Sequence, residues 1–204
     1  MTRTGGKDTK EKILNIAEDL FSEKGFDATS VDLIAQKAGV NKALIYYHYK
    51  NKQDLLNSLF KRTLDEMFSI ICISSNLSDI QSDDNEMEQN IINMINYLSK
   101  KDKILSILVM ESMKNTSEDN FSLFKCADLF INSELAVRIH ENKKNQLKKI
   151  DKDEFYIHEF FTGFIPVVFF TIYKDKWAEY FQCDQKKLLK LFIKVFINSH
   201  MKNH

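Results

Sequence analysis

Three features of the sequence predict an all-α fold. Turn-forming residues are scarce, with five glycines and one proline in 204 residues, too few to punctuate a many-stranded β-fold every few positions. The chain is 44% hydrophobic, enough for a substantial core and against disorder of the whole. Apolar residues also recur at spacings of three and four, beginning with Ile13, Ala17, Leu20 and Phe21, the period of a helix that buries one face.

The first helix is expected in TKEKILNIAEDLFSEKGF, with Thr9 as its N-cap,. Gly25 ends it where a left-handed residue is wanted, and Phe26 can fold back on the last turn,. In DATS, Thr29 and Ser30 are caps for a second helix, VDLIAQKAG, whose first-turn Asp32 complements the helix dipole,. That helix stops at Gly39, and a third runs from about Lys42 to Tyr49. A fourth begins near Lys52, carries Leu55, Leu56, Leu59, Phe60, Leu64, Met67 and Phe68, and continues into IICI. Beyond the acidic stretch SDIQSDDNEMEQ, helices are expected over 86–100, 103–115, 119–148, 153–176 and 185–201.

Net charge is zero, so bulk charge announces no partner, but its distribution is uneven,. From Gln36 to Arg62 the cations Lys37, Lys42, Lys50, Lys52, Lys61 and Arg62 face a single anion, Asp54. A solvated face is the plain explanation of such a cluster. The three cysteines, Cys72, Cys126 and Cys183, form no CxxC pair. They read as reduced thiols of a cytoplasmic protein rather than a zinc or disulfide framework. The N-terminal MTRTGGKDTKEK is polar and unlike a signal peptide,. The apolar run 155–173 contains His158 and Glu159, which favours a buried helix over a membrane span.

Residues 31–49 have the spacing of a helix-turn-helix. Counting from Val31, the fifth residue is Ala35, small enough for two helices to cross closely, and the ninth is Gly39, free to take a positive φ,. Ile34, Val40 and Ile45 can fill the angle between the helices. At 100° per residue, Tyr49 shares the inner face with Ile45, whereas Ala43 and Tyr47 point nearly opposite, Leu44 and Tyr46 flank that outward face, and His48 lies between core and rim. A major groove gives such a face a role. Ala43 permits close approach, and Leu44 or a tyrosine ring can meet thymine methyls. Tyrosine hydroxyls, His48 and the lysines can reach phosphates. Lys52 stands at a helix N-terminus, itself an anion site. The alternative is an ordinary helical hairpin with exposed aromatics.

The stretch GFDATSVDLIAQKAGVNKALIYYHYKNKQDLL resembles the N-terminal domain of the TetR family of bacterial transcriptional regulators. The matching positions are Gly25, Phe26, Thr29, Ser30, Val31, Ile34, Ala35, Ala38, Gly39, Val40, Lys42, Ile45, Tyr46, Tyr49, Lys50 and Lys52, within residues 8–60. The resemblance implies an N-terminal three-helix helix-turn-helix DNA-binding domain over 1–51 and an all-α ligand-binding and dimerisation domain over 52–204. It also implies roles. Thr29 and Ser30 would touch backbone phosphates, Lys42, Ala43, Leu44 and Tyr46 would face bases, and Tyr47, His48 and Lys52 would hold phosphates. Positions 43 and 44 depart from the Gly and polar residue frequent in the family, so Leu44 can read a base only through apolar contact.

For the rest of the chain, the resemblance implies that EFYIHEFFTGFIPVVFFTIY and DQKKLLKLFIKVFINSH are the last two helices and build a dimer through a four-helix bundle,. Phe169, Phe192, Val195 and Phe196 are the expected interface residues; the alternative is the core of a monomer. Gly163 would permit close helix approach, and Pro166 should kink or interrupt its helix by removing a backbone bond to Thr162,. Met94, Tyr97, Met110, Met113, Phe121 and Phe124 suit an adaptable apolar ligand cavity, or plain core. Glu111 would meet a polar part of a ligand, or be exposed or paired. His140 and His158 lack partners at metal-ligand spacing and read as structural or surface groups, and neither metal nor cofactor is expected. The expected protein is a cytoplasmic homodimer, not an enzyme and not bound to membrane. It would repress from a double-stranded DNA operator and be released by a small apolar or amphipathic effector. The rivals are an all-α enzyme, for which no nucleophile–base pair, metal motif or phosphate loop speaks, and a helical protein-binding module.

Overall fold

A computed structural model describes residues 4–74, 84–114, 123–132 and 151–201, all helices and short turns with no strand among the described residues. In chain order the helices are α1 (Thr4–Lys24), α2 (Val31–Ala38), α3 (Lys42–His48), α4 (Lys52–Ser74), α5 (Asp84–Ser99) and α6 (Asp102–Lys114). They are followed by α7 (123–132), α8 (Lys152–His158), α9 (Ile165–Tyr180) and α10 (Gln185–Phe196). A π-helical turn, Glu159–Phe164, joins α8 to α9, and a second, Ile197–Met201, follows α10. The chain forms two compact units, one of residues 1–66 with 103–122 and the other of 67–102 with 123–204.

The first unit has a core of Ile13, Ala17, Leu20 and Phe21 from α1, Ile34 and Ala38 from α2, Ile45 and Tyr49 around α3, and Leu55, Leu56, Leu59 and Phe60 from α4. Burial of each large side chain is worth about 1.5–3 kcal/mol, which outweighs the weak propensity of helices as short as α2 and α3. α1 begins five residues ahead of Thr9. Thr9 is therefore an interior residue and not the cap expected of it; once nucleated, a helix gains one bond per residue added, which carries it back through Gly5 and Gly6. Gly25 takes φ 85° and Gly39 φ 65°, and Phe26 folds back on Phe21 with ring centroids 5.2 Å apart. Arg62 locks α4 to α1. Its guanidinium donates to Glu11 at 2.5 Å, to Asn15 at 2.7 Å and to Glu18. Burial works against this charge, but the bonds and charges of Glu11 and Glu18 prevail and hold it above the ordinary arginine range.

In the second unit, α9 packs against α5 and α10. Ile91, Ile95, Leu98, Cys126, Ile131, Phe155, Val167, Val168, Ile193 and Phe196 are buried. Burial pushes the Cys126 thiol up to about 12, which removes it from thiolate chemistry. Pro166 does not break its helix. It falls in the first turn of α9, and the preceding residues widen into the π turn, in which the Ile165 N–H donates to the Phe160 carbonyl,. The expected close approach at Gly163 is present: a Cβ there would meet ring atoms of His200 at 2.8 and 2.9 Å.

The continuous run Lys152–Tyr180 spans 29 residues, with an apolar window of mean hydropathy 1.5, of which 39% is buried. By length and composition alone it could cross a membrane. Glu159 and Thr171 are buried within it by the chain's own packing, as expected of an internal helix. One side of it stays apolar and open, with Ile157, Phe161, Tyr173, Trp177, Tyr180 and Phe181 exposed; on α10, Leu191 and Val195 are exposed one turn apart.

A candidate nucleic-acid interface

The α2–turn–α3 segment is built by its caps. Ser30 is the N-cap of α2, and its side chain accepts from the Leu33 N–H at 3.1 Å. Gly39 closes α2 in the left-handed region, with the Val40 N–H returning to the Ala35 carbonyl at 3.0 Å,. Asn41 caps α3 by accepting from the Leu44 N–H at 2.7 Å. Asn51 and Asp54 then cap α4 reciprocally: Asn51 accepts from the Asp54 N–H at 2.8 Å, and Asp54 from the Lys50 N–H at 2.9 Å.

On this frame α3 has two faces. Ile45 and Tyr49 are buried. The Tyr49 hydroxyl donates to the Lys10 carbonyl at 3.1 Å, and burial, with the Glu11 charge, pushes this phenol up to about 12. On the other side Tyr47 is 81% and Tyr46 47% exposed. Ala43 is exposed, and Leu44 and His48 are half-buried. The 100° bookkeeping agrees with the burial of Ile45 and Tyr49 and the exposure of Ala43, Tyr46 and Tyr47, while Leu44 is covered as much as His48.

Two side chains assigned to phosphates are engaged within the fold. Thr29 is fully buried, and its hydroxyl donates to the carbonyls of Gly25 at 2.8 Å and Leu20 at 3.2 Å. It pins the α1–α2 turn, because the end of α1 leaves carbonyls that need donors. Lys52 donates to the Phe26 carbonyl at 2.8 Å and lies over the Phe26 ring at 4.4 Å, so it ties the start of α4 to the same turn. α6 reaches this turn too: Lys114 pairs with Asp27 and Glu111, each at 2.9 Å. Its hydrogen bond and charge hold the Asp27 carboxyl below the usual range. The cationic cluster is accordingly thinner than its residue count suggests. Arg62 serves α1, Lys52 serves the turn, and Lys42 is bonded to Asp32 at 2.8 Å.

We expect Lys52→Ala to lower the melting temperature by a few degrees, from loss of about 1–2 kcal/mol of charge-assisted hydrogen bonding and cation–π contact. Any loss of DNA affinity should be equal on all sequences. A melting curve and binding to two unrelated duplexes check it, and a selective loss on one duplex would refute it.

The pocket candidates are split between the units. Met94 and Tyr97 are half-buried on α5, and Phe124, exposed, stacks on Phe160 at 5.5 Å, all in the second unit. Met110 and Met113 are exposed on α6 and Glu111 is buried there, all in the first unit. Phe121 and His140 lie outside the described residues. Among the interface candidates, Val195 is 64% exposed and Phe169 half-buried. Phe192 stacks on Phe170 at 3.8 Å, and Phe196 is buried in its own chain, because the inner side of α10 must cover α9. Reasoning from sequence missed Glu159 and His200, which the fold brings to His158; forty-two positions separate the two histidines, so no local spacing could have paired them.

These features define an all-α protein with an N-terminal helix-turn-helix whose second helix presents an aromatic face. Residues 13–59 match the family of bacterial regulatory proteins described as the tetR family, so the N-terminal domain is of the tetR type. The biofilm operon icaADBC HTH-type negative transcriptional regulator IcaR of Staphylococcus aureus is 38% identical over 74 residues, 36% of this chain. The match spans 40% of that relative's length. The fold extends further. A TetR-family regulator from Syntrophomonas wolfei superposes with TM-score 0.64 at 16% identity, covering 93% of each chain. The SmeT–triclosan complex does so with TM-score 0.59 at 20% identity, covering 94% of this chain and 90% of that one.

Proposed function

We propose that the chain is a homodimeric transcriptional repressor that reads a double-stranded DNA operator with α3 and is released by a small apolar or amphipathic effector. The reading divides the chain by role at residue 51/52, into a DNA-reading head and an effector and dimerisation domain. The observation that carries it is the two-faced α3. Ile45 and Tyr49 fasten the helix inward, while Ala43, Tyr46 and Tyr47 are left exposed on its other side. Isolated exposed apolar residues need no explanation, but two tyrosines beside a small residue on one seven-residue helix do. IcaR, a negative regulator, supports repression, and a fold neighbour in complex with triclosan supports an apolar effector. IcaR and the Syntrophomonas wolfei neighbour are regulators, which also favours a non-enzymatic role in the cytoplasm.

The exposed apolar side of α8–α9 and of α10 supports self-association. Ile157, Phe161, Tyr173, Trp177, Leu191 and Val195 are too many apolar side chains for a lone surface,, and a C2 pairing of the two helices covers them as a four-helix bundle. Effector response is then a linkage. A ligand that favours the head spacing wrong for DNA by about 2.7 kcal/mol lowers operator affinity about a hundredfold.

Selection of duplexes from a random pool, followed by a salt titration on the winner, tests the reading. A palindromic site is expected. With Arg62 and Lys52 engaged inside each head, the log–log salt slope should be near −5, corresponding to roughly six phosphates. Failure to enrich any sequence, or a slope near zero, would refute it.

A further inference from the structure

We propose that His158, Glu159 and His200 form a binding site for a divalent transition-metal ion of the zinc type. One ligand atom from each lies within 4.8 Å of the others. His200 Nε2 is 3.3 Å from Glu159 Oε2, and His158 Nδ1 is 3.7 Å from Glu159 Oε1. A tetrahedral ion with bonds near 2.0–2.1 Å sets its ligands about 3.3–3.5 Å apart, so the triad, whose two imidazoles stack at 4.8 Å, would draw inward and turn its rings to close on one.

The hydrogen bonds around the triad determine what sits between its atoms. Thr162 has one hydroxyl proton, and it goes to the His158 carbonyl at 2.7 Å. Toward the rings the same oxygen can only accept, from His200 Nδ1–H at 2.8 Å and from His158 Nε2–H at 3.3 Å,. In each neutral ring the proton is thereby placed on the nitrogen facing Thr162, and the lone pair on the other nitrogen turns to Glu159. Two lone pairs and a carboxylate turned toward one another are the donor set a cation would take. A hydroxyl that holds metal-binding imidazoles in the ligating tautomer is a recurrent outer-sphere arrangement.

The fold makes room for this cluster in particular. The two π turns pack against each other here, and such turns recur at functional sites. Gly163 is needed because any Cβ would strike the His200 ring and come within 3.4 Å of Glu159 Oε2. Glu159 and His200 are buried, while half-buried His158 opens, with Thr162, on a cleft of ≈ 560 Å³ also lined by Asp151, Asp153 and Glu154. Those carboxylates concentrate cations at its mouth. Two imidazoles and one carboxylate suit zinc, nickel or cobalt over magnesium or calcium, and they leave a fourth position for water or an effector atom.

The site is independent of the DNA-binding reading, and its test does not use DNA. Purified full chain, stripped with chelator, is titrated with Co²⁺ at neutral pH, followed by its visible absorption and by competition with Zn²⁺. One Co²⁺ per chain, displaced by Zn²⁺, is expected. Glu159→Gln and His200→Gln should abolish it, and Thr162→Val should weaken it about 10–100-fold, each with an unchanged circular dichroism spectrum. No cobalt spectrum from the parent, or a stoichiometry that survives both Gln variants, would overturn the proposal; the triad would then hold a proton instead. Should the Gln variants fail to fold, X-ray absorption of the parental Zn²⁺ complex decides, with two imidazoles in the coordination sphere expected and any other number fatal.

Discussion

A glutamate at Val195 should yield a folded monomer with operator affinity lower by roughly 10²–10⁴-fold, the advantage that joining two half-site contacts confers. Val195 is 64% exposed and one turn from exposed Leu191, so the charge meets solvent in a single chain and desolvation only on pairing. The neighbouring Phe196 is the internal control. It is buried against its own chain, with its ring 5.8 Å from Phe192, so Phe196→Glu should unfold the second unit. Sedimentation and thermal melting separate the two outcomes. A dimeric Val195→Glu protein with parental affinity would remove α10 from the interface.

The second large effect is expected on the outward face of α3. Tyr46→Ala should cost about 1–3 kcal/mol on the operator, the scale of one good base contact, and little on random DNA, where phosphates supply the affinity. Ala43→Leu should act in the same direction by holding the helix off the groove floor. Both positions are exposed, so neither change should move the melting temperature by more than about 1–2 °C. Equal losses on operator and random duplex, measured by fluorescence anisotropy at fixed salt, would show that this face does not read bases.

The fold class and the head were legible because their determinants are local. Gly25, Gly39, Ser30 and the 3.6-residue period act within a few positions of themselves, and α3's sidedness followed from angle alone. What stayed hidden depended on which side chain finds which partner across the fold. Thr29 carries a family signature and sits beside the true cap, yet its hydroxyl is consumed by carbonyls at positions 20 and 25. Lys52 also bonds a carbonyl 26 residues away, a partner that no local spacing announces. Periodicity marked α10 as apolar but could not say that Phe196 points inward and Val195 outward. The His158–Glu159–His200 triad was the hardest to foresee, since it depends on two π turns, and a one-residue widening leaves no mark in hydrophobic spacing.

α3 has only seven residues, well short of the length at which a peptide is helical in water. Its shape is borrowed from Ile45, Tyr49 and the cap at Asn41, none of which lies on the outward side. Scaffold and message are thus written in different letters of the same short word. The exposed positions 43, 46 and 47 can be rewritten while the helix stands, so, on the proposed function, the head would be a reusable mount on which new operator preferences are installed by exchanging a few side chains. A free peptide carrying the same side chains would have no form in which to present them.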